Sequence, residues 1–324
     1  MIPGLIIIIL ILSFVLIKAA DMVVVSLRRI SKVTHTGVFA LSAVLLALGT
    51  SLPELFVAIT SALEGSPTLS FGNVLGANIA NISLVAGLSA FFAGKVYVQG
   101  GFLKKDVIIA LIAGVLPLFL VLDKTLSRVD GMILLSVYGA YSSSLFRKRF
   151  MQIAKEQQEE TSFIYRLTRR FNHIDSAKSK EIGRLFIGVA LLLGSADAIV
   201  RVAQQLALLA NIPVLLVGLI VISIGTTLPE VAFSFRAIED HEPTMFFGNL
   251  LGSIIANSTL VLGVATVITP IRIVALEEYT EAAMSFILIF LTFWFFIKSK
   301  GRLDRWEAGL LLVLYLIFVI VEFV

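Results

Sequence analysis

The sequence predicts an all-α membrane protein with ten transmembrane helices arranged as two inverted five-helix repeats, and three observations lead to this prediction. The 324 residues are 58% hydrophobic and 15% charged, whereas soluble domains have roughly 45–50% apolar and about 25% charged residues. Apolar stretches of about 20 residues recur along the chain, and each can cross the hydrocarbon core as a helix. The chain also matches itself, without gaps, at an offset of 176 residues.

The apolar stretches are predicted to be helices because an open sheet in lipid leaves its edge hydrogen bonds unmet. The first run, Ile2 to Ile17, has no basic residue before it and no small-residue cleavage site after it. It is therefore predicted to be a membrane helix and not a signal peptide. The ten predicted helices cover residues 2–24, 39–62, 71–94, 106–123, 130–147, 184–204, 211–236, 246–270, 279–298 and 305–323.

The distribution of basic residues predicts the orientation. Of the 26 lysines and arginines, all but four fall on one side of the predicted bundle. The four exceptions are Lys124, Arg128, Arg201 and Arg272. Because cytoplasmic loops carry the excess of positive charge, both termini are predicted outside the cell membrane.

One long polar segment, 148–183, is predicted to be a cytoplasmic linker that separates the five-helix halves 1–147 and 184–324. The basic surplus of the chain follows from its membrane topology, so a nucleic-acid partner is not expected. Contact of the linker with anionic lipid is the milder alternative. No obligate protein partner is predicted.

The internal repeat is centred on Gly-Thr-Ser-Leu-Pro-Glu, ending at Glu54, which matches Gly-Thr-Thr-Leu-Pro-Glu, ending at Glu230. The matching segments are about 43–90 and 219–266. The further matched pairs are Pro67 with Pro243, Phe71 with Phe247, Gly72 with Gly248, Asn73 with Asn249, Gly76 with Gly252, Asn81 with Asn257, and Asp21 with Asp197. Five crossings per half make the repeats inverted, and such repeats place a substrate site at their interface near the bilayer midplane.

A proline precedes each glutamate inside a predicted helix. Pro53 and Pro229 cannot donate a backbone hydrogen bond and crowd the carbonyl four residues earlier, so each helix is predicted to break or kink there. Gly49 and Gly225 loosen the same turns. The neighbouring hydroxyl residues then supply oxygens beside the freed carbonyl groups.

Glu54 and Glu230 lie midway along apolar helices, where a lone charge needs a cation, a partner or a proton. Asn81 and Asn257 each follow their glutamate by 27 residues, on the next helix. Their amide oxygens can complete an all-oxygen site. A protonated carboxyl that serves packing, and interhelical hydrogen bonding by the asparagines, are the structural alternatives.

An all-oxygen site with two carboxylates suits Ca²⁺ better than Mg²⁺, which loses its water reluctantly. Zinc or copper would favour His or Cys, but the chain has no cysteine and its three histidines, His35, His173 and His241, fall in predicted loops. No cofactor and no catalytic residue is predicted. The G-x-x-x-G pairs of the repeats, Gly72 with Gly76 and Gly248 with Gly252, are interpreted as close helix packing.

Gly-Thr-Ser-Leu-Pro-Glu followed by Gly-Asn-x-x-Gly-x-x-x-x-Asn, present twice, resembles the alpha repeats of the cation/calcium antiporter superfamily, and within it the prokaryotic sodium/calcium exchangers. The resemblance implies a ten-helix inverted fold and exchange of three Na⁺ for one Ca²⁺ by alternating access. It implies Ca²⁺ coordination by Glu54, Glu230, Asn81 and Asn257. The implied Na⁺ ligands are the two glutamates together with Ala47, Thr50, Ser51, Ser223, Thr226, Thr227 and Ser253.

The chain departs from the family pattern at two positions. Ala77 stands where the family commonly has serine, as the second repeat does at Ser253, so one Na⁺ ligand is expected to be missing. Asn257 stands where potassium-dependent relatives carry aspartate, so K⁺ co-transport is not expected. Two formal negative charges then remain in the site, which Ca²⁺ neutralises and three Na⁺ exceed by one.

Three alternatives stay open from the sequence. The first is H⁺/Ca²⁺ exchange, because the glutamates can carry protons, although those relatives usually show Gly-Asn-Ala-x-Glu. The second is a passive cation channel. The third is an intramembrane enzyme that uses Asp21 and Asp197 as a carboxylate pair, although no sequence signature of catalysis accompanies them.

Overall fold

The computed structural model describes residues 2–34, 50–98, 103–156 and 176–322. Seven of the helices in these ranges are long and apolar enough to cross a membrane. The helices are α1 (Ile2–Thr34), α2 (Leu52–Leu63), α3 (Pro67–Ala93), α4 (Leu103–Leu120), α5 (Arg128–Glu156), α6 (Ser176–Ala210), α7 (Val214–Glu239), α8 (Pro243–Ile268), α9 (Leu276–Lys300) and α10 (Arg305–Val321).

This all-helical arrangement confirms the predicted fold class, although several helices begin or end some residues away from the predicted positions. Both α3 and α8 begin at a proline, Pro67 and Pro243, because the first helical turn requires no backbone donor and favours the fixed φ of proline. Helix α5 extends beyond its predicted end to Glu156, and helix α6 begins before its predicted start, at Ser176. Hydropathy marks only the apolar part of such helices, whereas backbone hydrogen bonding continues into their polar ends.

The predicted division into the halves 1–147 and 184–324 remains a prediction. Residues 157–175 of the predicted linker lie outside the described residues, and its two flanks belong to α5 and α6.

Three of the helices contain a π-helical segment within their membrane span, which the sequence analysis did not predict. These segments are Asn81–Val85 in α3, Val217–Ile222 in α7 and Ala256–Val261 in α8. Within the matching segments of α3 and α8, the hydroxyls of Ser83 and Thr259 each donate to the carbonyl four residues earlier at 2.5 Å. In a π-helical segment a backbone N–H bonds to the carbonyl five residues earlier and not four. The hydroxyls of Ser83 and Thr259 supply hydrogen bonds to carbonyls at the four-residue spacing. Such segments are frequent at functional sites.

Two short antiparallel ladders join the halves at opposite ends of the bundle. Strand β1 (Lys95–Tyr97) pairs with β4 (Arg302–Asp304), and β2 (Thr125–Leu126) pairs with β3 (Ile271–Arg272). The repeat offset relates β1 to β3 and β2 to β4, so each ladder pairs a strand of one half with a non-equivalent strand of the other. This crosswise pairing follows the pseudo-symmetry of the inverted repeats.

The helices α3 and α7 cross at very short distance because glycines replace side chains at the crossing. A Cβ at Gly72 would overlap the Leu215 carbonyl, and one at Gly76 would overlap the Leu219 carbonyl. From the other side, a Cβ at Gly218 would overlap the Leu69 carbonyl. Only glycine permits this approach, which brings the central segments of the two repeats together.

The buried apolar residues form two clusters. The larger includes residues of α3, α4, α8, α9 and α10, and the smaller is built mainly from α1 and α6, with additions from α2, α3 and α7. Many large apolar side chains on the outside are exposed, such as Phe186 at 72% and Leu208 at 82%. This exposure is expected where lipid covers the surface, and the helices α1 and α6 pack against each other along their length.

Candidate functional site

Both glutamates of the repeated motif lie in the first turn of a helical segment that starts beside the bundle centre. Helix α2 starts at Leu52 after a turn at Thr50 and Ser51, and α7 is interrupted at Thr227 before its second segment starts at Leu228. Pro53 and Pro229 therefore occupy the second position of a helical segment, where a missing donor costs little. The interruption of α7 precedes Pro229 by two residues, and Pro229 leaves the carbonyl of Gly225, four positions earlier, without a helical partner.

The two motifs contact the opposite repeat reciprocally. The hydroxyl of Thr50 in the first repeat donates to Asn249 Oδ1 of the second at 3.3 Å. The hydroxyl of Thr226 in the second repeat donates to Asn73 Oδ1 of the first at 3.2 Å. These residues are equivalent pairs under the repeat offset, so the inverted pseudo-symmetry extends to individual hydrogen bonds.

Around Thr50 and Glu230, side chains of both repeats converge. The hydroxyl of Ser253 lies 3.2 Å from that of Thr50 and donates to Glu230 Oε1 at 3.5 Å. On the other side, the side chain of Thr226 lies near the carboxylate of Glu54. The two carboxylates are close enough to interact electrostatically.

Three of the predicted Na⁺ ligands in α7 lie together. The carbonyl of Ser223 accepts hydrogen bonds from the hydroxyls of Thr227 at 2.9 Å and Thr226 at 3.4 Å. All three residues are buried. The interrupted turn of α7 thus gathers one carbonyl and two hydroxyl oxygens within one helical turn.

Most carboxylate and amide atoms at the centre lack partners in the described part of the chain. Glu54, Glu230, Asn81 and Asn257 are each 0% exposed. Neither oxygen of Glu54 accepts a hydrogen bond from a described residue, nor do Glu230 Oε2 or the side-chain oxygens of Asn81 and Asn257. Buried polar atoms are nearly always satisfied, and an absent ion is one physical reason for an exception.

The asparagines reach the centre through the same crosswise packing. The segment of α7 that carries Glu230 contacts the π segment that starts at Asn81, and α2, which carries Glu54, contacts the π segment that contains Asn257. No ion pair of the described residues involves either glutamate. Two buried carboxylates without a basic partner require cations or protons.

Carboxylates alone do not form this site, because no group of three His, Cys, Asp or Glu side chains in the described ranges could hold a metal ion. Any cation here would take most of its ligands from neutral amide, hydroxyl and carbonyl oxygens. That donor set suits Na⁺ and Ca²⁺, which are hard cations, and does not suit zinc or copper.

Some predicted site residues have other placements. Ala47 and Gly49 lie outside the described residues, as do His35 and His173. Ser51 is buried, and its hydroxyl has no partner among the described residues. Gly225, predicted to loosen the broken turn, is also the point where α1 approaches α7, since a Cβ there would lie 2.4 Å from Ser13 Oγ.

Several polar residues of the centre are absent from the set of ligands and supports that the sequence predicts. Asn73 and Asn249 were noted only as repeat matches, although their duplication was the signal that could have identified them. Asn78, whose Nδ2 donates to Ser258 Oγ at 2.7 Å, has no polar equivalent at the repeat offset. Ser13 lies in an apolar run of α1 and carries no sequence signal at all.

The aspartates considered for intramembrane catalysis have another environment. Asp197 accepts a hydrogen bond from Arg201 at 3.0 Å, and Arg201 also donates to Glu64 at 2.9 Å. Asp21 is exposed. These contacts link α6 to the end of α2, and neither Asp197 nor Glu64 is buried.

The chain is similar to known membrane transporters over nearly its whole length. Residues 4–146 and 180–324 match the family model described as sodium/calcium exchanger protein. The sodium/calcium exchanger MaX1 of Methanosarcina acetivorans is 27% identical over 95% of each chain. The inner membrane protein YrbG of Escherichia coli is 31% identical over 79% of this chain and 78% of its own. A solved structure of the sodium-calcium exchanger NCX_Mj, soaked with 10 mM Na⁺, has a TM-score of 0.61 at 25% identity and covers 99% of both chains.

Proposed function

This chain belongs to the sodium/calcium exchanger protein family, and we propose that it exchanges Na⁺ for Ca²⁺ across the cell membrane by alternating access. It is a transporter and not an enzyme. The family membership extends through both repeats, whereas the identity of the coupled ions is the step that we add.

The observation that carries the proposal is the set of unpartnered oxygens at the centre. Glu54, Asn81, Asn257 and the Oε2 atom of Glu230 present carboxylate and amide oxygens that no described residue satisfies. We assign Ca²⁺ to these four residues, because Ca²⁺ takes 6–8 oxygen ligands and tolerates irregular geometry. Two carboxylates neutralise one Ca²⁺, which removes the cost of two uncompensated charges in the membrane.

We assign Na⁺ to the hydroxyl and carbonyl oxygens that flank the carboxylates. On the side of the second repeat these belong to Ser223, Thr226 and Thr227, and on the other side to Thr50 and Ser253. Ser51 and Ala47 complete the proposed set, and Glu54 and Glu230 serve both ions. Shared carboxylates make Na⁺ and Ca²⁺ compete, which is the requirement for exchange and not co-transport.

The orientation that we propose places both termini outside and the segment 148–183 in the cytoplasm. It is supported by the basic residues at one end of the bundle, including Lys95, Lys298, Lys300, Arg302 and Arg305. Cytoplasmic membrane ends carry the excess of lysine and arginine.

Ion coupling is tested by reconstituting the purified chain in liposomes. An outward Na⁺ gradient is expected to drive uptake of labelled Ca²⁺, and added K⁺ is expected to leave the rate unchanged. Uptake driven only by a pH gradient would instead establish H⁺/Ca²⁺ exchange. Ca²⁺ flux without any counter-ion would establish a channel.

The same preparation measures the stoichiometry, which is expected to be three Na⁺ per Ca²⁺. The transport current then reverses at a voltage set by that ratio, because one net charge moves per cycle. Ala77 leaves the first repeat without the hydroxyl that Ser253 supplies in the second. Exchange without a transport current would instead indicate two Na⁺ per Ca²⁺ and would assign the missing Na⁺ site to this position, and Ala77→Ser should then restore the third Na⁺ together with the current.

A further inference from the structure

A cavity that none of the predicted ion ligands lines is present at the end of the bundle where α9 turns into α10. Its volume is about 530 Å³, and its lining includes Phe91, Lys95, Arg302, Asp304, Arg305 and Trp306. The floor is the ladder of β1 and β4, in which Lys95 faces Asp304 and Tyr97 faces Arg302.

The acidic residues at this end are already neutralised. Asp304 lies 2.8 Å from Arg302 Nε and 3.3 Å from Lys300 Nζ, and Glu307 lies 3.2 Å from Lys300 Nζ. Burial raises the pKa of the Asp304 carboxyl, but the hydrogen bond from Lys300 and the positive charges of Lys300 and Arg302 outweigh this effect and hold the pKa below its ordinary value. Asp304 is therefore ionised at neutral pH, and its charge is matched by Lys300 and Arg302.

Lys95 and Arg305 remain as positive charges without an acidic partner among the described residues. Arg305 donates its Nε to the Phe91 carbonyl at 2.9 Å, which fixes the guanidinium at the rim. Its Nη2 atom lies over Gly94, where an added Cβ would approach to 3.4 Å. The terminal nitrogens of Arg305 and the ammonium of Lys95 can therefore both donate to an anion in the cavity.

Aromatic rings lie beside three basic residues at this end of the bundle. Arg305 lies over the Phe91 ring, Arg302 over Tyr97 and Lys300 over Trp306, at 5.8, 5.9 and 5.1 Å from the ring centroids. Trp306 is itself 60% exposed. Basic residues combined with exposed tryptophan are typical of the level of the lipid headgroups.

An exposed apolar stripe continues from the cavity along α10. Trp306, Leu310, Val313 and Ile317 follow one another at intervals of about one helical turn and are 60%, 40%, 49% and 50% exposed. This spacing places them on one face of the helix. A molecule with its charged end in the cavity would lay an apolar tail along this face.

We propose that this cavity binds the phosphate headgroup of an anionic phospholipid, with Lys95 and Arg305 as the groups that contact the phosphate. Basic pockets between membrane helices are suited to such headgroups. A zwitterionic lipid gains less, because its own cationic group opposes the uncompensated bases. The site is independent of which ions the protein exchanges.

Trp306 permits a direct test, since the chain has only two tryptophans. The full chain carrying Trp294→Phe is reconstituted in vesicles of brominated phosphatidylglycerol or brominated phosphatidylcholine, and quenching of Trp306 is measured. One basic residue near an anionic surface contributes about fivefold in binding. Phosphatidylglycerol is therefore expected to be preferred by about fivefold or more, and equal quenching by both lipids overturns the proposal.

Variants and a free anion complete the test. Lys95→Gln should reduce the preference about fivefold, whereas Lys95→Arg and, at the opposite end of the bundle, Arg272→Gln should preserve it. An unchanged preference in Lys95→Gln overturns the assignment of the site.

Inorganic phosphate is added to brominated phosphatidylglycerol vesicles at an ionic strength matched with chloride. Retention of the preference supports a lipid, and its loss overturns the lipid in favour of a free anion.

Discussion

At the scale of the residue, the centre of the protein is defined by oxygen atoms whose partners are missing. Glu54 and Glu230 carry two formal charges in an environment that contains no basic side chain among the described residues. The threonines and Ser253 hold hydrogen bonds to neighbours, while Glu54, Asn81, Asn257 and the Oε2 atom of Glu230 do not. We infer that the hydroxyl groups are positioned by the protein itself, and that the acids and amides are completed by the transported ions.

Replacement of Glu54 by glutamine is expected to abolish exchange without unfolding the protein. Losing one member of a buried charged pair costs about 2–5 kcal/mol, which weakens Ca²⁺ binding about 30-fold or more. The measurement is thermal unfolding in detergent with and without Ca²⁺. Ca²⁺ at about 100 times its dissociation constant stabilises the native protein by about 2.7 kcal/mol, and at the same Ca²⁺ concentration this stabilisation should fall to about 0.9 kcal/mol or less in the variant.

The control for this prediction is Asp21→Asn, which alters an exposed carboxylate on α1. It should retain both the Ca²⁺-dependent shift and the exchange rate. A Glu54→Gln protein that keeps the full Ca²⁺ shift would contradict the assignment of this carboxylate.

At the scale of the element, the helices meet closely because small residues coincide with irregular backbone. The segment Gly72–Gly76 of α3 crosses the π segment of α7 with backbone atoms in contact. Pro53 and Pro229 lie at the start of a helical segment, where proline is tolerated, and the residues just before these segments, Ser51 and Thr227, have ψ near zero. The geometry of the site therefore depends on how closely α3 and α7 approach each other.

The substitution Gly76→Ala is expected to disturb this crossing. Its Cβ would overlap the Leu219 carbonyl and lie 2.8 Å from Ser223 Oγ, so the helices must separate. Overpacking of this kind costs about 1–3 kcal/mol, and we expect a lower midpoint of thermal unfolding together with weaker Na⁺-dependent Ca²⁺ uptake.

Gly139→Ala is the matched control, because Gly139 is an exposed helical glycine with no described atom within 4 Å of an added Cβ. Alanine there should leave uptake unchanged and raise stability slightly, since glycine disfavours a helix by about 1 kcal/mol. A Gly76→Ala protein that unfolds at or above the temperature of the unchanged chain, as expected for Gly139→Ala, would show that the crossing tolerates a side chain.

At the scale of the whole molecule, two features suggest how the site changes access. The helices α1 and α6 form the main part of a separate apolar cluster, and the remaining helices are joined across the halves by the two ladders. Inverted-repeat transporters alternate access largely by moving one bundle against another. We infer that α1 and α6 move as a pair against the rest of the bundle.

A disulfide between α1 and α7 should block this motion. The Cβ of Ser13 would lie 2.8 Å from a Cβ at Gly225, so a small separation reaches the roughly 3.8 Å of a disulfide. The chain has no cysteine of its own, which makes Ser13→Cys with Gly225→Cys a clean pair. Oxidation is expected to reduce exchange about tenfold or more, and reduction should restore it. Full exchange in the oxidised protein would exclude relative motion of these helices.

The sequence by itself determined the membrane character, the repeats and the positions of the two glutamates and asparagines. These properties can be read from the order of the residues alone, because hydropathy depends on consecutive residues and the ligand residue types recur at a fixed offset, as in Glu54 and Glu230. The tertiary structure decided which residues meet, such as Thr50 with Asn249, Ser13 with Gly225, and Lys95 with Arg305 around one cavity. These contacts depend on helix crossings and on π segments, which arise from packing between distant parts of the chain and leave no periodic signal in it.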